Sequence, residues 1–174
     1  MQQIISLLVE NKPGALMRVT GVLSARGYNI ESLTVARTLD PELSRMTIVV
    51  EVENASRALL VKQIARLINV IQVVDLTDAP FVCRELILLR VTVTDLMREA
   101  FLKEVEIFRA RVVDASPGVY TVEATGAAEK LDAFLEMMRS YGDIELIRSG
   151  ALAMPRSTKE NRKAKSKELK KVSV

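Results

Sequence analysis

The segment Glu10-Asn11-Lys12-Pro13-Gly14-Ala15-Leu16, followed by Arg26-Gly27-Tyr28-Asn29-Ile30-Glu31-Ser32, decides the fold of the first half of the chain. It predicts a strand, a short loop, a helix that opens at Pro13-Gly14, and a second strand that leaves through Tyr28-Asn29-Ile30. Such an opening suits a small anion, because the first N–H groups of a helix lack intrahelical acceptors and the helix dipole is positive there. Gly14 would let a ligand approach the backbone closely. The alternative is an ordinary helix start with Pro at its first position.

Two asparagines flank this helix, Asn11 before it and Asn29 after it. Their neutral side-chain amides donate and accept hydrogen bonds at once. Together with the helix opening, they suit a zwitterion such as a free amino acid better than a site for bond making.

The order strand, helix, strand, strand, helix, strand occurs twice along the chain. The predicted strands cover residues 2–9, 29–38, 46–52, 70–76, 85–93, 111–115, 119–124 and 143–149. After the first helix, the apolar helical sets are Leu60, Ile64, Leu67 and Ile68; Met97, Phe101, Val105 and Phe108; and Leu131, Phe134, Leu135 and Met138. We therefore predict an α+β chain of two ferredoxin-like βαββαβ domains. The predicted bounds are 1–77, a linker at 78–83, 84–154, and a flexible basic tail at 155–174.

The third strand contains Ile48-Val49-Val50, which is apolar on both faces. A sheet with helices on one face and solvent on the other does not require this. Free strand edges also favour pairing with another chain. Both features predict a symmetric homodimer, although some exposed valine and isoleucine is ordinary on a β-rich surface.

The composition excludes most catalytic schemes. The chain has no histidine, which removes Ser-His-Asp and Cys-His nucleophiles and most zinc sites. Its single cysteine, Cys83, cannot form an internal disulfide and is expected to pack as a small apolar residue. There is no P-loop and no GxGxxG motif. We therefore predict no catalytic residue, no metal site and no cofactor in this chain. An acyl-phosphate hydrolase on this fold would need an arginine where the first loop has Lys12.

The net positive charge of the chain comes from its end. Eight basic and two acidic residues follow Pro155, a net +6 against +3 for the whole chain, so the preceding residues carry −3. The tail has no aromatic side chain to stack on bases, and we expect no nucleic-acid partner; contact with RNA or an anionic surface is the alternative. No apolar run reaches the length of a membrane span, and the start of the chain has a strand pattern, so we expect a cytoplasmic protein without membrane contact.

A long ordered set of residues resembles the regulatory small subunit of acetohydroxyacid synthase, also called acetolactate synthase. The most specific part is N-x-x-G-A-L-x-R-V-x-G, from Asn11 to Gly21. The resemblance continues through residues 26–35, 43–48, 84–86, 106–109, 130–134 and 147–150.

This resemblance implies an N-terminal ACT domain, a second ferredoxin-like domain, and a homodimer formed through the ACT domain. It implies that a branched-chain amino acid, first of all valine, binds between the two chains. Leucine and isoleucine differ from valine by one methylene, too little to be separated here. The implied effector-binding residues are Asn11, Gly14, Ala15 and Leu16 of one chain and Asn29 and Ile30 of the other.

The resemblance also implies a catalytic large subunit, which would hold thiamine diphosphate, Mg²⁺ and FAD and join two pyruvates into 2-acetolactate. This chain would activate that subunit and make it sensitive to feedback. We expect the segment 37–44 to contact it, through Arg37, Thr38, Leu39, Asp40, Leu43 and Ser44. A stand-alone amino-acid-responsive regulator of transcription is a competing hypothesis, although neither half has a helix-turn-helix pattern.

Overall fold

The structure is a computed structural model that describes residues 1–157; the predicted basic tail from residue 158 onward lies outside the described residues. The βαββαβ order occurs twice and confirms the predicted fold class. The strands and helices are β1 (Gln2–Glu10), α1 (Ala15–Ser24), β2 (Ile30–Arg37), β3 (Leu43–Glu51), α2 (Arg57–Ile64), β4 (Val70–Asp75), β5 (Phe81–Thr92), α3 (Arg98–Ile107), β6 (Arg111–Ser116), β7 (Val119–Gly126), α4 (Ala128–Met138), β8 (Ile144–Arg148) and β9 (Leu152–Pro155).

Each repeat forms its own antiparallel sheet with its helices on one face. The N-terminal unit has the strand order β2-β3-β1-β4, and the C-terminal unit has the matching order β6-β7-β5-β8. Because side chains alternate across a strand, every second residue of β1 and β3 enters the core of the N-terminal unit. Ile5, Leu7, Ile48 and Val50 are fully buried there.

The chain buries the apolar stripes that the helical spacing predicts, except for Ile68 and Met97, which is 37% exposed. All four residues of the α4 stripe are buried, which confirms that prediction. On α2, Leu60 and Ile64 are buried, but the helix ends at Ile64 and Ile68 is 85% exposed. Two successive turns, closed by Leu67 N to Ile64 O and Val70 N to Leu67 O, rotate the chain away from the helical repeat. In the described part of the chain, no helix has the length and hydrophobicity to cross a membrane.

A ninth strand was not predicted. β5 begins at Phe81, inside the segment expected as a linker, and its first four residues pair antiparallel with β9. β9 has only four residues and ends in proline, so its pattern is too short to be recognised as a strand.

The face of β3 that points away from the helices is apolar because another part of the same chain covers it. Val49 faces away from the helices, in one row with Ile4 and Ser32, and is only 7% exposed. Thr47 and Ser6, in the next row, are also buried. β9 lies against β1, and Ala151 binds Ser32, so the C-terminal half covers this face. The apolar character of Val49 is therefore explained within the chain and does not by itself indicate a partner chain.

The two outer strands that correspond in the repeats, β2 and β6, each have one register shift, at different positions along the strand. In β2 the shift lies at the start, between Ile30 and Ser32, and the register with β3 is then constant from Ser32 to Arg37. β6 is exposed along its whole length, and its register with β7 shifts between Val112 and Asp114. Such an irregularity bends a strand and interrupts its edge.

Candidate functional site

The first helix opens at Gly14 and leaves two of its first backbone amides without an acceptor among the described residues. Gly14 is the N-cap, with φ of 82°, and Ala15 is the first helical residue, so the helix opens at the end of the predicted Pro13-Gly14 pair and Pro13 is not its first residue. Gly14 has no side chain to cap the helix. Within residues 1–157, no protein acceptor takes the N–H groups of Leu16 and Met17. A Cβ added at Gly14 would meet no atom within 4 Å, so the approach to these amides is open in this chain.

Asn11 ties this loop to the loop between β2 and β3. Its Nδ2 donates to the carbonyl of Pro41 over 2.8 Å, and its Oδ1 accepts from Ser44 Oγ over 3.2 Å. Its backbone N–H donates to Glu42 O over 2.7 Å. One donor and one acceptor position of the amide remain for a ligand.

The other predicted effector residues of this loop divide between core and surface. Ala15 is buried, and its N–H donates to Lys12 O over 3.2 Å. Leu16 is exposed beside the open amides. Lys12 Nζ lies 3.0 Å from a Glu10 oxygen, so the cation that might serve an acyl-phosphate hydrolase already faces a carboxylate.

Asn29 and Ile30 lie at the opposite end of β2 from Asn11. Ile30 pairs with Val50 at the start of β2, whereas Arg37 pairs with Ser44 at its end. Seven residue steps of about 3.3 Å separate these ends by about 23 Å. Asn29 Nδ2 donates to Glu31 Oε1, and Ile30 packs against the core. A single chain therefore does not bring the six predicted effector residues together.

A polar network under the loop includes a residue that the sequence analysis missed. Asn69 is buried; its Nδ2 donates to Glu10 Oε2 over 2.6 Å and its Oδ1 accepts from Arg18. Hydrogen bonds from Lys12 and Asn69 lower the pKa of Glu10. The signal was a lone polar residue in the apolar run Leu67-Ile68-Asn69-Val70, because such a residue is usually buried with hydrogen-bond partners.

The segment 37–44 forms a compact, hydrogen-bonded turn. Thr38 Oγ1 and Asp40 bind each other, with Thr38 Oγ1 donating to Asp40 O over 2.9 Å and Asp40 N donating back over 3.1 Å. Asp40 Oδ1 also accepts from Glu42 N. The turn presents Leu39 completely to solvent and keeps Arg37 exposed. Leu43 is half-buried and Ser44 is buried, so their side chains face the chain itself.

The remaining chemistry of the described residues is sparse. Among residues 1–157, no group of three acidic or cysteine side chains is arranged to hold a metal ion. Burial raises the pKa of the half-buried Cys83 thiol, which lowers the thiolate fraction at neutral pH. The loop around Gly14 and the turn at 37–44 offer hydrogen-bonding groups and apolar side chains, which are the groups of a ligand-binding site.

Comparison with known proteins places both halves in one family. Residues 84–157 match the family described as small subunit of acetolactate synthase, and residues 5–72 match the AHAS small subunit-like ACT domain. The acetolactate synthase isozyme 3 small subunit of Salmonella typhimurium is 43% identical over 160 residues, covering 91% of this chain and 98% of the relative. The acetolactate synthase small subunit of Mycolicibacterium smegmatis is 44% identical over 152 residues, covering 87% and 89%.

A solved structure agrees with these sequences. The crystal structure of the acetolactate synthase small subunit from Thermotoga maritima superposes with a TM-score of 0.82 at 32% identity, covering 91% of this chain and 99% of that one. The resemblance seen in the sequence is thereby confirmed, and the chain belongs to the family of regulatory small subunits of acetolactate synthase, with an ACT domain in its N-terminal half.

Proposed function

We propose that this small subunit activates an acetolactate synthase catalytic subunit and makes it sensitive to feedback by a branched-chain amino acid, valine first. The observation that carries the proposal is the open start of α1, where the N–H groups of Leu16 and Met17 have no protein acceptor within residues 1–157. A carboxylate placed there accepts two backbone hydrogen bonds and meets the positive end of the helix dipole.

The complete effector site needs two chains. In our proposal, two copies pair antiparallel through their β2 edges, to which no strand pairs within the described residues. A two-fold axis across β2 places the start of one strand beside the end of the other. The separation of about 23 Å within one chain, from seven strand steps, then becomes proximity between chains. Asn11, Gly14 and Leu16 of one protomer face Asn29 and Ile30 of its partner.

Each part of an aliphatic amino acid finds a matching group in such a site. The carboxylate binds the open amides of Leu16 and Met17, and the asparagine side chains orient the ammonium group. Leu16, which is exposed, and Ile30, which is half-buried, contact the branched side chain. Ala15, whose methyl group is buried and whose N–H donates to Lys12 O, supports the helix start next to the ligand.

The hydrogen bonds of Asn11 support a route from this site to the catalytic subunit. They join the effector loop to the turn that carries Leu39, the exposed residue best placed to contact a partner. Effector binding changes activity only if it favours one arrangement of the complex over another. In this proposal thiamine diphosphate, Mg²⁺ and FAD belong to the catalytic subunit, where pyruvate is condensed, and this chain takes no part in bond making.

Reconstitution tests the proposal. The full chain is mixed with separately purified catalytic subunit, and acetolactate is measured with and without valine, leucine and isoleucine. We expect the rate to rise when the chain is added and to fall again with valine, while the chain alone forms no acetolactate. A rate that does not respond to the chain would remove the proposal.

A further inference from the structure

Two hydroxyl side chains of β2 hold the backbone of one residue in the C-terminal half. Ala151 N donates to Ser32 Oγ over 2.8 Å, and Thr34 Oγ1 donates to Ala151 O over 2.7 Å. Ala151 is only 2% exposed, so these bonds are shielded from water. We call the group Ser32, Thr34, Gly150 and Ala151 the interdomain clasp.

The backbone at Gly150 approaches the side chains of β2 closely. Gly150 has φ of 80°, a conformation that L side chains rarely adopt. A Cβ at this position would lie 2.5 Å from Ser32 Oγ and 3.5 Å from Thr34 Cγ2. Glycine at 150 therefore allows the backbone to approach β2 closely enough for both hydrogen bonds to form.

The residues before the clasp are fixed to the C-terminal sheet. Ser149 N donates to Leu86 O over 2.9 Å, and Leu86 N donates to Ser149 Oγ over 3.0 Å. Arg148 binds Glu85 over 2.5 Å and Asp132 of α4 over 2.7 Å. Only Gly150 thus lies between Ser149, which is bound to the C-terminal sheet, and Ala151, which is bound to β2, so the two attachments are closely coupled.

The clasp lies close to one half of the proposed effector site. Ser32 follows Ile30 by two residues on the same strand, a distance of about 7 Å along the chain. Because β2 is an outer strand, only β3 otherwise fixes its position by backbone pairing in residues 1–157. A contact that fixes Ser32 and Thr34 therefore also limits where Asn29 and Ile30 can lie.

We propose that the interdomain clasp positions β2 for effector binding, so that the C-terminal domain sets the affinity of the ACT domain for its amino acid. This inference rests on the proposed effector site. Ser32 and Thr34 are positioning residues: they do not touch the ligand, and they reduce the conformational freedom that binding would otherwise have to remove. Coupling between two sites is reciprocal, so bound effector also stabilises the clasp.

The experiment compares two double variants of the full chain by calorimetry with valine and by amide hydrogen exchange. Ser32→Ala with Thr34→Val removes both clasp hydroxyls. Ser116→Ala with Thr125→Val makes the same changes at exposed positions on β6 and β7 and is the matched control. Gly150→Ala is a second disruption, through the steric conflict with Ser32. Exchange at Ile5 and Ile87, buried in the two sheets, verifies that each variant is folded.

We expect valine to bind at least fivefold more weakly to the clasp double variant and to Gly150→Ala, in the range usual for coupled sites. The control should stay within about twofold of the wild type. Without valine, the Ala151 N–H should exchange faster in both clasp variants than in the wild type. In the wild type, adding valine should slow this exchange. Faster exchange at Ala151 with unchanged valine affinity would overturn the coupling alone. Absence of valine, leucine and isoleucine binding to the wild type would overturn the proposed function and the coupling together.

Discussion

Gly14 has a left-handed backbone conformation, and a Cβ added there would meet no atom of the described residues within 4 Å. A substitution at this residue therefore tests the proposed effector site most directly. Gly14→Asp should weaken feedback inhibition by roughly 30-fold or more, because its carboxylate would lie where the effector carboxylate binds. Activation of the catalytic subunit should persist. Inhibition curves with the reconstituted complex give both quantities.

Two matched variants separate the causes in this test. Gly14→Ala adds the backbone strain of about 1 kcal/mol without the charge. Gly118→Asp adds the same charge at φ of 74° in the turn between β6 and β7, where the nearest atom to a Cβ lies at 3.6 Å. Inhibition that stays normal in Gly14→Asp would mean that the effector binds elsewhere.

The lowered pKa of Asp75 should make the free energy of unfolding depend on pH. Burial alone would raise its pKa, but hydrogen bonds from Thr77 and Gln3 and the charge of Arg57 lower it below its ordinary value of 3.8. A lowered folded pKa stabilises the protein above 3.8, and this contribution disappears as the pH falls through the folded pKa. Asp75→Asn should therefore lose about 1 to 3 kcal/mol at pH 7.

The loss in Asp75→Asn should shrink below pH 4, because the wild-type carboxyl then becomes neutral too. Urea unfolding of both proteins at several pH values between 7 and 3 measures the difference. A difference in unfolding free energy that is constant across this range would show that the Asp75 charge does not contribute.

At the scale of single elements, the turn that follows β2 offers a second test. Leu39 is completely exposed, and its turn is held by Thr38 and Asp40. If the turn docks on the catalytic subunit, Leu39→Asp should lower activation about tenfold or more, because a charge would enter an apolar contact. Leu96→Asp, at a residue 98% exposed before α3, is the control and should activate normally. Equal activation by both variants would exclude this turn from the contact.

The elements also show what the sequence could and could not predict. Stripes such as Leu131, Phe134, Leu135 and Met138 were predictable because four apolar residues at helical spacing have one way to reach a core. The end of α2 was not, because Ile68 is apolar and local periodicity does not reveal where tertiary turns replace the helix. β9 was missed because its four residues are ordered by pairing with distant β5.

The candidate site likewise has features that the sequence could predict and features that it could not. The open amides after Gly14 follow from local chemistry and were predictable. The hydrogen bonds of Asn11 to Pro41 and Ser44, and of Ser32 to Ala151, join residues far apart in sequence, and no local pattern indicates them.

At the scale of the whole molecule, the proposed dimer depends on β2. Val35 is exposed on this strand, and Val113 is similarly exposed on the corresponding strand β6. Val35→Glu should convert the dimer to a monomer, because the two-fold axis would bring two carboxylates into one interface. Val113→Glu should leave the dimer intact. Sedimentation equilibrium of the full chain distinguishes them, and a wild type that sediments as a monomer would contradict the pairing.

The interrupted register of β6 has a consequence for how copies of this chain can assemble. If β6 had an uninterrupted run as long as Ser32–Arg37 of β2, each molecule could pair with neighbours at two edges, and growth would continue without limit into fibres. The shift between Val112 and Asp114 bends β6 and makes its free edge a poor partner for another strand. In the proposed dimer, pairing through β2 would then be complete after one partner, which would keep a fold of two similar halves from polymerising.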